Sequence, residues 1–221
     1  PRGFGGALHW TSDGLFTDDW YRDGRHVIAR VDRDGNRTDS IVFHEDLPSK
    51  LISSGSGFLS VNYSSKKLEF LDKDGMVGGG IEMRTPTDIQ LVYWDYAAVA
   101  EHVLWVPAVR GVAIPNRQSM LVGIDLLVSS DSGYTVMSHS IIIPEQLALI
   151  HKMQWDGEVF HILTWDMLLC TLTPDGQTID SLPLPVNASS MAWDGEAYWI
   201  SHYGPTDLYS SDVLLSRFYP R

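Results

Sequence analysis

The chain has 221 residues, of which 44% are hydrophobic and 20% charged, enough to bury a substantial core and too apolar for a disordered segment. Its 28 acidic and 16 basic residues leave a formal charge of −12, and the densest basic spot is Lys66-Lys67. The clustered cations that grip a phosphate backbone are missing, which excludes general nucleic-acid binding, and no apolar run approaches the ~20 residues of a membrane-spanning helix.

In chain order, residues 1–47 open with PRGFGG, which carries no initiator Met and no charged-then-apolar leader, the expectation for a mature or excised product. Then come GALHW, a TSDG break, LFTDDW, HVIARVD, an RDG break and NRTDSIVF. Residues 48–86 follow the same grammar: KLISS, GSG, FLSVNY, KKLEFLD, KDG, MVGGGIEM. Residues 87–147 form a longer copy, with IQLVYW, AAVAE, HVLWVPAV, MLVGIDLLV, SSDSG and YTVMSHSIII. Its extra length includes RGVAIPNRQS, residues 110–119, between the expected second and third strands. In residues 148–187 the order is LIHKMQW, DGE, VFHILTW, LLCTLT, PDG and QTIDSLPLP, with at most one helical turn expected over 145–152. The last copy, residues 188–221, reads SSMAW, DGE, AYWISHY and VLLSRFYPR, and ends where a third strand should turn into a fourth.

Each copy holds runs of five to eight β-branched, aliphatic or aromatic residues parted by Asp-Gly or Gly-Ser breaks. Such runs are strand signals, and Asp-Gly suits a tight hairpin because both of its residues tolerate positive φ. Asp13-Gly14, Asp156-Gly157 and Asp194-Gly195 are expected to join first strands to second ones. Asp34-Gly35, Asp74-Gly75 and Asp175-Gly176 are expected to join third strands to fourth ones. Trp10, Trp94, Trp155 and Trp193 recur at the expected end of the first strand, where a large ring can wedge between neighbouring sheets.

Four-stranded antiparallel units of about 40 residues, repeated end to end, resemble the β-propeller superfamily over nearly the whole chain. The resemblance implies an all-β ring of five blades, the last incomplete or closed by the N-terminus. The Trp-Asp of WD40 blades stands here at the wrong turn, and the kelch double glycine is absent, so no narrower family is named.

Two sets of residues are candidates for a site. The aromatic set is Trp20, Tyr21, Tyr96, Tyr198, Trp199 and Tyr203, beyond what blade packing requires. Such rings can stack on a sugar face or anchor a protein partner. The histidine set is His9, His151, His161 and His202, which could converge on a central channel to hold a divalent metal or act as general base. The first set makes the chain a recognition module for a glycan or a protein, without a cofactor. The second makes it a propeller enzyme, a lyase or hydrolase, and a third reading is a scaffold domain of a longer secreted protein.

Residues that differ between MQWDGEVFHILTW and MAWDGEAYWISHY, His161 against Trp199 through His202, are the first place to look for specificity. Carboxylates near strand ends, among them Asp18-Asp19, Asp95 and Asp166, are too scattered to define a hydrolytic pair. Residues 32–36 lack the sixth-position Gly and twelfth-position Glu of a calcium loop, Arg37 and Phe43 standing there instead. The single cysteine, Cys170, rules out an internal disulfide and is expected to be a buried small hydrophobe. Three of the four asparagines, Asn36, Asn62 and Asn187, stand in N-x-S/T, which favours a secreted glycoprotein, although strand-rich proteins also gather these residues in turns; an extracellular or periplasmic chain is expected ahead of a cytoplasmic one.

Overall fold

The structure is a computed structural model and describes residues 7–22, 25–43, 50–54, 57–63, 65–72, 75–91, 94–111, 118–147, 149–184, 187–203 and 213–219. The first blade is β1 (Leu8–Thr11), β2 (Gly14–Arg22), β3 (Arg25–Val31) and β4 (Arg37–Val42), antiparallel in that order. The second repeats it with β5 (Lys50–Ser54), β6 (Gly57–Asn62), β7 (Lys67–Leu71) and β8 (Val77–Glu82). The third has β9 (Ile89–Leu91), β10 (Ala98–Ala100), β11 (Val103–Arg110), β12 (Gln118–Asp125) and β13 (Met137–Ile142). The fourth has β14 (Ile150–Trp155), β15 (Phe160–Thr164), β16 (Leu168–Leu172) and β17 (Thr178–Pro183). The fifth has three strands among the described residues, β18 (Ala188–Trp193), β19 (Tyr198–Tyr203) and β20 (Val213–Phe218). PRGFGG, the expected source of a closing strand, lies outside the described residues.

The strands β1, β5, β10, β14 and β18 pack side by side in a closed circuit, β18 meeting β1, so the chain is a five-bladed β-propeller. Each seam buries a separate apolar cluster, because a four-stranded sheet has two faces and needs a neighbour on both. Phe16, Ile28 and Phe43 meet Leu51 and Phe58 between blades 1 and 2. Ile52 and Leu59 meet Trp94 and Leu104 between blades 2 and 3. Trp105 and Leu121 meet Met153 and Phe160 between blades 3 and 4, with Trp155 against them. Leu163 meets Met191 and Ile200 beside Trp193, and Ala192 meets Leu8 and Leu15 beside Trp10, which closes the ring.

The turns depart in detail from the expected two-residue form. Gly35, Gly75 and Gly176 have φ of 80°, 77° and 90°, while Asp34 and Asp175 are not among the positive-φ residues. Each glycine N–H closes a turn onto the residue three before it, Asp32, Asp72 or Thr173, at 3.0 Å. That residue's side chain then accepts the N–H of Asn36, Met76 or Gln177, at 2.7, 2.9 and 2.9 Å. A bulge in the adjoining pairing absorbs the extra residue. In residues 32–36 the Asp32 carboxylate is thus held by backbone N–H groups, which also lower its pKa, the Asn36 N–H most of all.

Two elements of the third blade differ from expectation. Its first strand is broken: β9 and β10 flank the same side of β11, and a 3-10 turn, Trp94–Tyr96, stands between them. Trp94 is therefore not at a strand end, although its ring still fills a seam. The run Leu126-Leu127-Val128 continues not as strand but as helix α1 (Leu126–Ser132). The Asp125 side chain accepts the N–H groups of Leu127 and Val128 at 3.0 Å, and Gly133, at φ 76°, ends the helix with its N–H on Ser129 O. Replacing Asp125 by alanine should cost about 1 kcal/mol and lower the melting temperature by roughly 2–4 °C, measured by calorimetry.

Candidate functional site

Three rings gather at the end of the channel where the first strands begin. His151 is the second residue of β14, and Trp165 follows the last residue of its partner strand β15. Trp165 sits in a tight turn in which Met167 N–H bonds Thr164 O at 3.1 Å, while its own N–H bonds Leu149 O at 2.9 Å. This pins the backbone and turns the indole out of the sheet, leaving Trp165 48% exposed. The His151 imidazole stacks on it, with centroids 4.1 Å apart and planes 15° from parallel.

Tyr96 reaches the same place from the blade-3 turn that Trp94 anchors between blades 2 and 3. Its ring stands edge-on to His151 at 5.6 Å and to Trp165 at 6.4 Å. One face of a half-exposed indole is thus backed by an imidazole and flanked by a phenol, a rigid arrangement that needs no reordering to accept a flat group. The hairpin of β11 and β12, the longest pairing in the ring, reaches beyond β10 at this same end. Of the insertion 110–119 between them, residues 112–117 lie outside the described residues.

The remaining candidates fall elsewhere. Tyr198 and Trp199, expected as surface binding rings, are 5% and 4% exposed. They are corrected to core positions, Tyr198 in the seam of blades 4 and 5 and Trp199 in that of blades 5 and 1. The side chains of Trp20, Tyr21 and Tyr203, and that of Asp95, lie outside the described residues.

The four histidines lie on four different strands, β1, β14, β15 and β19. His9, 1% exposed, stands edge-on to Phe58 at 5.8 Å in the first seam. His202 meets Ser216 Oγ at 2.8 Å in blade 5, and His151 belongs to the aromatic cluster. His161 is enclosed: its Nε2–H donates to Asp156 Oδ2 at 2.7 Å, and Tyr198 O–H donates to its Nδ1 at 2.6 Å. Its ring stacks on Trp193 at 4.8 Å. Among the described residues no group of three or more His, Cys, Asp or Glu is placed to hold a metal ion.

His161 and Trp199 hold equivalent positions after their turns and perform the same task. Trp199 Nε1–H donates to Asp194 Oδ2 at 2.8 Å, as His161 does to Asp156, while the other oxygen of each carboxylate accepts two backbone N–H groups of its turn. Arg217 completes the second copy with bonds to Asp194 at 2.8 Å and Glu196 at 3.1 Å. Burial pushes the His161 pKa down, outweighing the Asp156 bond that raises it, so the ring is neutral at pH 7. Cys170 is buried as expected, and burial, aided by Asp180, pushes its thiol up to about 11, which keeps it protonated and unreactive.

No family model matches the chain, and no curated protein matches it. Among solved structures, it is similar to the glutaminyl cyclase of Myxococcus xanthus, with a TM-score of 0.55 and 10% identity over 98% of this chain and 92% of that one. It is similar also to the virginiamycin B lyase of Staphylococcus aureus, with a TM-score of 0.49 and 13% identity over 97% and 80%. At 10% identity the likeness to the glutaminyl cyclase is one of fold.

Proposed function

We propose that the protein is a recognition module that takes a flat apolar group of a glycan or protein partner against Trp165, at the channel end shared with Tyr96 and His151. The observation that carries this reading is a tryptophan 48% exposed yet fixed on both its ring and its backbone. Covering the exposed half of such an indole is worth about 3 kcal/mol, and large anchored rings are where binding energy concentrates. An exported setting fits the exposure of Asn36 and Asn187, two of the three N-x-S/T sites.

The test is a glycan array beside affinity capture from an extracellular extract, each repeated with Trp165→Ala. The substitution should weaken binding of the captured ligand by roughly 30-fold or more while leaving the melting temperature within a few degrees. An array signal identifies a glycan and a captured polypeptide identifies a protein. Binding untouched by Trp165→Ala refutes the site. The enzymatic alternative, a lyase or hydrolase, draws on His151 at the same mouth. Catalytic turnover that survives Trp165→Ala but not His151→Ala would replace recognition by catalysis.

A further inference from the structure

The opposite end of the channel has an opening of its own. Where the first strands run into their turns, a cavity of about 170 Å³ is lined by Trp10 and Thr11 of β1, Ser12 of the turn after it, Ser53 of β5, and Gln154 and Trp155 of β14, among others. It shares no lining residue with the Tyr96–His151–Trp165 cluster.

Four properties of this cavity define what it can hold. Its volume is near that of the ~150 Å³ cavity that admits one benzene, so it has room for roughly one ring. None of its described lining residues is ionisable, so a charged ligand would lose hydration without a counter-charge. Thr11, Ser12 and Ser53 supply hydroxyls, the first already accepting the Asp13 N–H at 3.1 Å, and β1, β5 and β14 each have one pairing partner among the described residues. Trp10 and Trp155 line it from two different blades, each also packed against a seam cluster.

The wall is also braced. The Gln154 side chain donates to Trp193 O at 2.8 Å and accepts Trp193 N–H at 2.7 Å, which ties blade 4 to blade 5 and fixes the strand that carries Trp155. We propose that this opening is a second binding site, specific for one neutral pyranose ring. The ring's C–H surface meets the indoles, and its hydroxyls exchange hydrogen bonds with the three side-chain hydroxyls.

Saturation-transfer NMR with glucose, galactose, mannose, fucose and N-acetylglucosamine tests the proposal on the whole chain, with glucuronic acid and glucosamine as charged controls. At least one neutral sugar should receive saturation at its ring protons and quench indole fluorescence, and its charged counterpart should bind about tenfold or more weakly. Ser53→Leu and Ser12→Leu, which fill the cavity, should each weaken binding about tenfold. Ser53→Ala, which removes one of the three hydroxyls without filling the cavity, should weaken binding about threefold or more and serves should either leucine variant fail to fold. Any saturation a sugar receives at Trp165 should vanish with Trp165→Ala, while the part that Ser53→Leu removes should persist in that variant, which separates this site from the one proposed above. Absence of saturation with every neutral sugar, retention of binding in the folded variants, or loss of that part with Trp165→Ala overturns the proposal.

Discussion

Replacing His161 by alanine should destabilise the protein by about 3 kcal/mol and lower its melting temperature by roughly 6–12 °C. The imidazole is 4% exposed and satisfies two partners at once, the partly exposed Asp156 carboxylate of its own blade and the buried Tyr198 hydroxyl of the next. Alanine leaves both without that partner and removes a ring stacked on Trp193, so desolvation and packing losses add. Tyr198→Phe deletes one hydroxyl and should cost about 1–2 kcal/mol.

The pH dependence has a definite sign. The folded-state pKa of His161 is below 6.5, so below that pH the unfolded chain binds the proton more readily than the folded one. The stabilisation is present above pH 6.5 and is lost as pH falls through the depressed folded value. The difference between wild type and His161→Ala should therefore be largest near pH 7.5 and shrink toward pH 5, as read by urea unfolding at each pH. A difference that grows toward pH 5 would mean that the imidazolium, paired with Asp156, is the stabilising form.

This hydrogen-bonded pair also marks how far the sequence could be read. Strands and turns were legible because each is written by local chemistry: Asp156-Gly157 and Asp194-Gly195 repeat the same side-chain-capped turn, and the tryptophans before them fill the same kind of seam. The mismatch of His161 with Trp199 pointed toward specificity, yet both side chains offer an N–H five residues after an aspartate, and the carboxylate accepts either. Equivalent hydrogen-bonding chemistry was thus hidden behind different residue names.

Helix α1 was missed because Leu126-Leu127-Val128 looks like a strand to any pattern of apolar residues. What decides is that Leu126 is buried while Leu127 is 64% exposed, a result of packing and of the Asp125 cap. Trp165 was passed over for a related reason. Nothing local separates it from the seam tryptophans, and its exposure follows from a turn held to Leu149 on a neighbouring segment. Tyr96 and His151 were both singled out as candidates, but for different chemistries, and only the fold across blades 3 and 4 brings them together.

Alanine at Gly35, Gly75 and Gly176 should have three different costs despite the shared turn. All three have φ between 77° and 90°, where a β-carbon adds about 1–2 kcal/mol of strain. At Gly35 the added carbon would meet nothing within 4 Å, so the cost should stay near ~1 kcal/mol. At Gly75 it would stand 2.7 Å from Cδ1 of Phe43, a ring 0% exposed in the first seam, and the total should reach about 2–3 kcal/mol. At Gly176 it would stand 2.7 Å from the carbonyl oxygen of Ile142. That atom cannot move without β13 of the preceding blade, so Gly176→Ala should cost about 3–4 kcal/mol.

Denaturant unfolding of the three variants measures the order directly. Equal costs would mean that backbone strain alone acts and that the seams give way freely. The expected order places the difference at the seams instead. Gly75 and Gly176 each abut the outer end of the blade before them, Phe43 of blade 1 and Ile142 of blade 3. The blade before Gly35 has three strands among the described residues, and there the same turn faces open space. The step in cost from Gly35 to Gly176 thus measures how closely the blade-4 turn is packed against the blade before it.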